Sequence, residues 1–477
     1  MKKLLLSTFI FMSFASLTVA QVNDSTEVKP SKKIKTGYNF GVLPTISYNS
    51  DLGFQYGAAI ELYNYGDGAV FPNYYERYKL EYSRYTRGSG INNFSYETTK
   101  LVPGHQIFFD INYLPDSQYD FLGANGYDAV YNESWEHSKS KLFYKNNTNR
   151  LKIKADIINP ITDKWSWIAG LEFYNFDVSQ VDVEKYNHGR EESEKVPEVE
   201  KLPGLWDRYV EWGLIDADQA HGGSFLGIKL GMMFDTRDNW ANPNKGTWTE
   251  AILITVPGFI GSANQAHLKL NFTHRQYFTI FPRRLTFAYR VSYDGVIAGK
   301  QPYYAANIMY PIIQKGATYE GLGGRRSLRG VKRNRVTGNG YVFGNAEFRF
   351  RLFGFQLFNQ DFQIASNIFI DAGRVVQKID IESKKNKVEA EKYPLTDKRW
   401  GQYAIGWKLD DSGNLVEIPG ETEADYFNFG AEKMHYSFGI GLKLVMNNNF
   451  VVSADYGRAF DTQDGLPGVY VGMDYNF

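Results

Sequence analysis

"YVFGNAEFRFRL", Tyr341 to Leu352, alternates apolar and polar side chains with a period of two. A strand sends successive side chains to opposite faces. Val342, Ala346, Phe348, Phe350 and Leu352 therefore share one face, and Asn345, Glu347, Arg349 and Arg351 the other. A charge turned toward lipid at mid-depth costs roughly 2–4 kcal/mol, so this sorting suits a strand with lipid on one side and a polar lumen on the other. "FQIASNIFIDAG" repeats the pattern, with Phe362, Ile364, Ile368 and Ile370 outward and Gln363, Asn367 and Asp371 inward. The final stretch does so again: Val469, Val471, Met473, Tyr475 and Phe477 against Tyr470, Gly472, Asp474 and Asn476.

Working outward, the period-two signal fills the chain from Tyr38 onward in sixteen segments, from "NFGVLPTISY" to "VYVGMDYNF". Most are near the ~10 residues that a tilted strand needs to cross a bilayer. Compact links around Gly104, Asp163, Arg283, Asn359 and Asn448 follow even-numbered segments. Long polar links, Pro115–Lys141, Gln180–Gly222, Lys300–Asn339 and Lys378–Lys433, follow odd-numbered ones. Short turns at one end and long loops at the other are the asymmetry of an outer-membrane barrel, and an even strand count brings both termini to the periplasmic side. A soluble all-β protein such as tandem sandwiches would also alternate. Strand length, aromatic content and the ordered alternation of links favour an all-β, sixteen-stranded antiparallel transmembrane barrel over residues 38–477.

The totals agree. Tyr (34), Phe (34) and Gly (45) are abundant, and 22% of the residues are charged. Mean hydropathy is −0.41, too polar for a helical membrane protein. Lys+Arg and Asp+Glu are 53 each, so no net charge draws the chain to nucleic acid. Cysteine is absent, which excludes disulfides and thiolate metal sites. "MKKLLLSTFIFMSFASLTVA" has a basic head, an apolar middle and a small-residue end. That order predicts a cleaved signal peptide over 1–20, followed by a polar periplasmic tether over 21–37. Its apolar core is shorter than the ~20 residues of a spanning helix.

One segment stands out chemically. In "GLGGRRSLRGVKRNR", Gly321 to Arg335, six of the eleven residues from Arg325 onward are basic. The glycines lack the Lys-Ser/Thr ending of a phosphate loop, and nucleic acid fits poorly with a neutral exported barrel. The seven histidines show no metal-ligand spacing, and His267 and His274 face opposite ways on one strand. There is no nucleophile elbow. No enzyme activity, metal or cofactor is expected. Arginine pairs carboxylates in a bidentate, planar way within confined spaces, and the flanking strands turn Glu347 and Asp371 inward. The expectation is that this sixth long-side loop folds back into the lumen.

"SLRGVKRN", then "GYVFGNAEFRFRL", then "FIDAGRV" resemble the C-terminal half of the outer-membrane assembly-factor and bacterial surface antigen superfamily, the BamA- and TamA-like barrels. The family's loop tip stands here as Leu328-Arg329-Gly330-Val331, with valine where an aromatic is usual. "FDTRDNWANPNKGTW" is similar to its strand-turn-strand signature, through Asp235, Arg237, Asp238, Asn239, Pro243 and Gly246. The resemblance implies that Arg329 reaches into the lumen and that Asp371, on the thirteenth strand, receives it. It also implies that Phe477 is the terminal aromatic of a barrel-assembly signal. Family members with known roles carry POTRA domains before the barrel. The short stretch before Tyr38 leads us to expect a barrel-only member.

Pro44 in the first strand donates no backbone hydrogen bond and Gly472 lies in the last. Proline is tolerated where nothing need pair, so these two mark a weak seam; a rim position for Pro44 accounts for it equally. Three functions remain open: biogenesis or translocation of envelope proteins in a Gram-negative outer membrane, a solute pore, and a structural barrel that binds other envelope proteins. Outer-membrane lipid and the barrel-assembly machinery are the expected partners.

Overall fold

The computed structural model describes residues 34–71, 73–196, 204–240, 242–259, 266–309, 321–357, 360–389, 407–409, 415–417, 421–447, 450–473 and 475. The expected signal peptide, most of the tether, the links at Asn359 and Asn448, and Phe477 lie outside the described residues.

Sixteen strands form one antiparallel barrel. β1 comes in two pieces, Tyr38–Pro44 and Ser47–Asn49, and both pair with β2, Gly53–Asn64. There follow β3 (Glu76–Tyr85), β4 (Gly90–Thr98), β5 (Gln106–Leu114), β6 (Lys145–Pro160), β7 (Trp165–Ser179) and β8 (Gly222–Asp235). Then come β9 (Gly246–Val256), β10 (His267–Phe281), β11 (Leu285–Gly299), β12 (Gly340–Leu357) and β13 (Gln360–Gln377). The set ends with β14 (His435–Met446), β15 (Phe450–Ala459) and β16 (Gly468–Met473). Each strand pairs with the next, and β16 returns to β1 through Tyr48–Val471 and Asn49–Tyr470. This is the barrel that the alternation predicts. No described helix is long and apolar enough to cross a membrane; the strands do so.

The faces sort by residue type. On β12, inward Asn345, Glu347 and Arg349 are almost fully buried, while outward Phe348 and Leu352 are exposed. Aromatic pairs gather at the short-turn end of the outer wall, including Trp165–Phe234 at 4.9 Å and Phe287–Phe348 at 5.0 Å, as expected of an interfacial girdle. Two of the side chains assigned a face from the sequence depart from it. Arg351, expected in the lumen, is exposed at the turn end. β11 has run out there, its last pair being Leu285–Phe350, and β12 slips register against β13 between Arg351 and Phe353. Tyr475, expected to face lipid, turns inward. Among the described residues the pairing of β16 with β15 reaches Met473, and the Tyr475 ring lies 4.1 Å from the Arg349 guanidinium, a cation–π contact.

At the other end the described parts of the long links pack against one another. Phe121, Trp206, Tyr209, Trp212, Tyr426 and Phe427, drawn from three of them, share one buried cluster. Phe121 meets Trp206 and Tyr209 edge-on at 5.0 and 5.1 Å. Burying such rings removes large apolar areas from water and makes the loops a packed dome over the barrel mouth. Within it the Lys139 ammonium lies 3.7 Å from the Trp135 ring and bonds Glu421, which Arg208 also pairs. Burial, with Arg208 beside it, pulls that ammonium down to about 7.

Candidate functional site

The segment from Gly321 to Asn339 is a self-bonded unit. Leu322 and Val336 bridge its two ends. Gly324 N donates to the Val331 carbonyl at 2.9 Å, and Gly323 N to Ser327 Oγ at 2.9 Å. Leu322, Leu328, Val331 and Val336 are fully buried in a cluster with Tyr341, Phe343 and Val375 of β12 and β13. Val331, where the resemblance would have an aromatic, thus packs into the wall.

The tip presents Arg329. Its Nε and Nη2 donate to the two oxygens of Asp371, each at 2.9 Å, and its backbone N donates to Asp371 Oδ2 at 3.0 Å. Nη1 reaches Glu347 Oε2 at 3.1 Å, and the guanidinium lies 3.4 Å from the Phe369 ring centre. Around this pair, Arg349 bonds Glu347 at 2.6 Å, Asn367 bonds Glu347 at 2.9 Å, and Lys443 bonds both oxygens of Asp455 at 2.7 Å. Three carboxylates thus face three cations. The charges cancel within the buried group, the condition under which ionised side chains are tolerated away from water.

Gly330 follows with φ +92°, a left-handed conformation costly for any residue with a Cβ. A Cβ there would stand 2.3 Å from Arg458 N on β15, and one on Gly457 would stand 2.6 Å from the Arg329 carbonyl carbon. Two glycines therefore permit backbone-to-backbone contact between loop and wall. Gly330 N also donates to Tyr470 Oη of β16 at 3.0 Å.

The other basic residues tie the segment to the dome and the seam. Arg333 pairs Asp116 at 2.8 Å and Asp120 at 3.1 Å. Lys332 bonds Glu136 at 2.5 Å. Arg335 donates to the carbonyls of Gly126, Ala129 and Gln463. Arg325 Nη2 donates to the Met473 carbonyl at 2.5 Å, and a Cβ on Gly472 would stand 2.5 Å from that guanidinium. Gly472 thus makes room for the loop.

The strand-turn motif lies elsewhere, at the turn end between β8 and β9. Arg237 makes a forked pair with Asp235, Nη2 to Oδ2 at 2.6 Å. The Trp248 ring is sandwiched between Arg237 at 3.9 Å and Arg275 at 4.0 Å. Asp238 Oδ1 accepts from the backbone of Asn244 and Lys245, and Asn239 Oδ1 from Asn242 N. Pro243 is buried. Gly246 has φ +104°, with the Thr236 carbonyl 2.3 Å from where a Cβ would be. Arg275 went unmarked in the sequence, and Trp248 and Arg325, though inside the quoted stretches, were given no partner, because those partners lie on other strands.

At the seam, Pro44 pairs only with Ala58 of β2. Among the described residues, the Tyr38–Pro44 edge opposite β2 pairs with no strand; near the loop end two ladder pairs join β1 to β16, and Ser50 N donates to the Val469 carbonyl at 3.0 Å while Val469 N donates to Ser50 Oγ at 2.7 Å.

The Omp85 superfamily domain matches residues 104–476. No curated protein matches the sequence. Among solved structures, BamA from Haemophilus ducreyi lacking POTRA domains 1–3 aligns at a TM-score of 0.51 and 15% identity, covering 92% of this chain and 70% of that one. CdiB from Escherichia coli aligns at 0.52 and 8% identity, covering 92% and 63%. At these identities the likeness is one of fold. With a sixteen-strand barrel and a domain match over most of its length, the chain belongs to the Omp85 superfamily of outer-membrane barrels.

Proposed function

We propose that this protein is a biogenesis or translocation factor of the outer membrane, in which release of the sixth loop and opening of the β1–β16 seam are one event. The observation that carries the reading is the Arg325–Met473 hydrogen bond. It caps a β16 edge carbonyl where pairing to β1 has stopped. Withdrawing the loop removes that cap and the Gly330–Tyr470 bond together, leaving β16 held by β15, two pairs to β1 and the Ser50–Val469 bonds just beyond them. A short, weakly paired edge is the part of a sheet most ready to accept another strand. The dome and the loop weigh against a constitutive solute pore, and no catalytic step is part of the proposal. We assign Phe477 as the signal for the barrel's own assembly; Phe477→Ala should lower the membrane-inserted, heat-modifiable protein.

The absence of native cysteine makes the test clean. Tyr48→Cys with Val471→Cys places two thiols on directly paired residues, within disulfide reach. Cells relying on the oxidised variant should lose outer-membrane or exported proteins and recover them on reduction. Full function of the locked seam would end the proposal.

A further inference from the structure

β10 breaks the apolar rule of the outer wall. Its outward positions run Leu270, Phe272, His274, Gln276, Phe278, alternating with buried Asn271, Thr273 and Arg275. Two hydrogen-bonding side chains thus face lipid. Their depth follows from the pairing. The cross-strand row that starts at Trp165, the first residue of β7, runs through Phe234, Thr249, His274, Val291, Gly344 and Ala372 to Tyr436, the second residue of β14. It climbs from the turn-end rim to the loop-end rim because barrel strands are tilted. His274 is fourth of those eight positions, well inside the wall; Gln276 lies nearer the turn end.

The two belong to a chain of bonds. Thr249 Oγ1 meets His274 Nδ1 at 2.8 Å, His274 Nε2 meets Tyr289 Oη at 3.3 Å, and Tyr289 Oη donates to Gln276 Oε1 at 3.0 Å. Tyrosine has one proton, so giving it to Gln276 makes His274 Nε2 the donor to Tyr289 and Nδ1 the acceptor from Thr249. All donors then point one way. The chain ends at the Gln276 amide nitrogen, which makes no hydrogen bond among the described residues. Gln276 pairs Thr247, the second residue of β9, so this donor lies at the turn-end edge of the wall, where lipid ester groups offer acceptors.

Immediately toward mid-bilayer lies a shallow apolar recess of ≈ 590 Å³ around the small side chain of Ala251, walled by Trp167, Leu230, Met232, Leu253 and Leu270. On the other side, the turn-end rim carries exposed Lys164, Lys245, Arg283 and Arg284 against Asp163 and Asp238. From rim to middle the order is cation, hydrogen-bond donor, apolar recess.

We infer that the β7–β11 wall holds one glycerophospholipid of the periplasmic leaflet: phosphate at the basic rim, ester carbonyl on the Gln276 amide, one acyl chain in the Ala251 recess. That polarity is the order of groups in a phospholipid whose head faces the periplasm. The site rests on the outer-membrane placement and its long-loops-out orientation; it is independent of the seam.

Native mass spectrometry of protein released from phosphatidylethanolamine–phosphatidylglycerol nanodiscs tests it. The wild type should carry one retained phospholipid. Gln276→Leu removes the donor and Ala251→Phe fills the recess; both place apolar groups against lipid, and heat-modifiable migration reports a folded barrel. Each should cut retention roughly tenfold, equivalent to about 1.4 kcal/mol. Equal retention in wild type and the folded variants overturns the site. So does a wild type that carries a second copy of the chain or another polypeptide at that wall, lost in Gln276→Leu.

Discussion

Arg329 and Asp371 are joined three times over: two parallel guanidinium bonds of 2.9 Å and a backbone N–H bond of 3.0 Å to the same carboxylate. Removing one partner of a buried pair leaves the other charge stranded, at a cost of about 3–5 kcal/mol. Arg329→Ala strands Asp371 and removes one of Glu347's three hydrogen-bond partners. Asp371→Ala leaves the guanidinium with Glu347 and should cost less. The double variant should be no worse than Arg329→Ala alone. Hydrogen exchange over residues 321–339 and a double-mutant cycle measure this; losses that simply add would refute the pairing.

Gly330→Ala makes a sharper test of loop seating. It deletes no contact, yet its Cβ collides with the β15 backbone and its φ of +92° resists a side chain. Loop exchange should rise to the level of Arg329→Ala while the Arg329 and Asp371 side chains stay intact. Wild-type protection in Gly330→Ala would mean that loop and strand are not in backbone contact.

A pH dependence follows from Asp120 in the dome. Burial raises its carboxyl, but Lys145 and Arg333 outweigh that and hold it at about 2, below the usual 3.8. A depressed carboxylate contributes stability above its ordinary value and loses it as pH falls through the folded one. The shift is worth about 2 kcal/mol. Proteolysis of the loop end should therefore accelerate between pH 4 and pH 2, and Asp120→Asn should show the faster rate already at pH 5. A pH-independent rate over that window would show that the Arg333 contact does not hold the dome.

The strands were legible because a barrel wall imposes one rule, lipid outside and polar lumen inside, on most of their residues; inward Ile252, Ile254 and Val256, which join the apolar cluster at the loop end, are among its exceptions. The rule failed where its cause stops. Arg351 lies past the end of β11, and Tyr475 lies past the last described β15–β16 pair, where Arg349 attracts its ring. Glu347 and Asp371 could be turned inward beforehand by strand parity, and the family resemblance picked out Arg329 as their partner. The dome could not. Phe121, Trp206 and Tyr426 lie in three separate polar links, the last two on short helices, and no periodicity says that they meet. The Thr249–His274–Tyr289–Gln276 chain was hidden for a related reason: each member is unremarkable on its own strand, and the cluster exists only across three strands in register.

The dome also alters what releasing the loop should do to conductance. Sixteen strands enclose a lumen wide enough for water, and two separate barriers obstruct it: the Arg329-anchored loop against the wall, and the Phe121–Trp206–Tyr209 cluster above. The wild type in planar bilayers should give rare, small openings. Arg329→Ala alone should raise their frequency but not their size, because the dome still covers the mouth. Adding Trp206→Ala to Arg329→Ala, which leaves a cavity where a large ring was packed, should yield larger and longer openings than either change alone. A large steady current in the wild type would mean that neither barrier closes the lumen and would return the solute pore to the front. Full-size openings from Arg329→Ala alone would show that the loop is the sole gate and that the dome stands clear of the ion path.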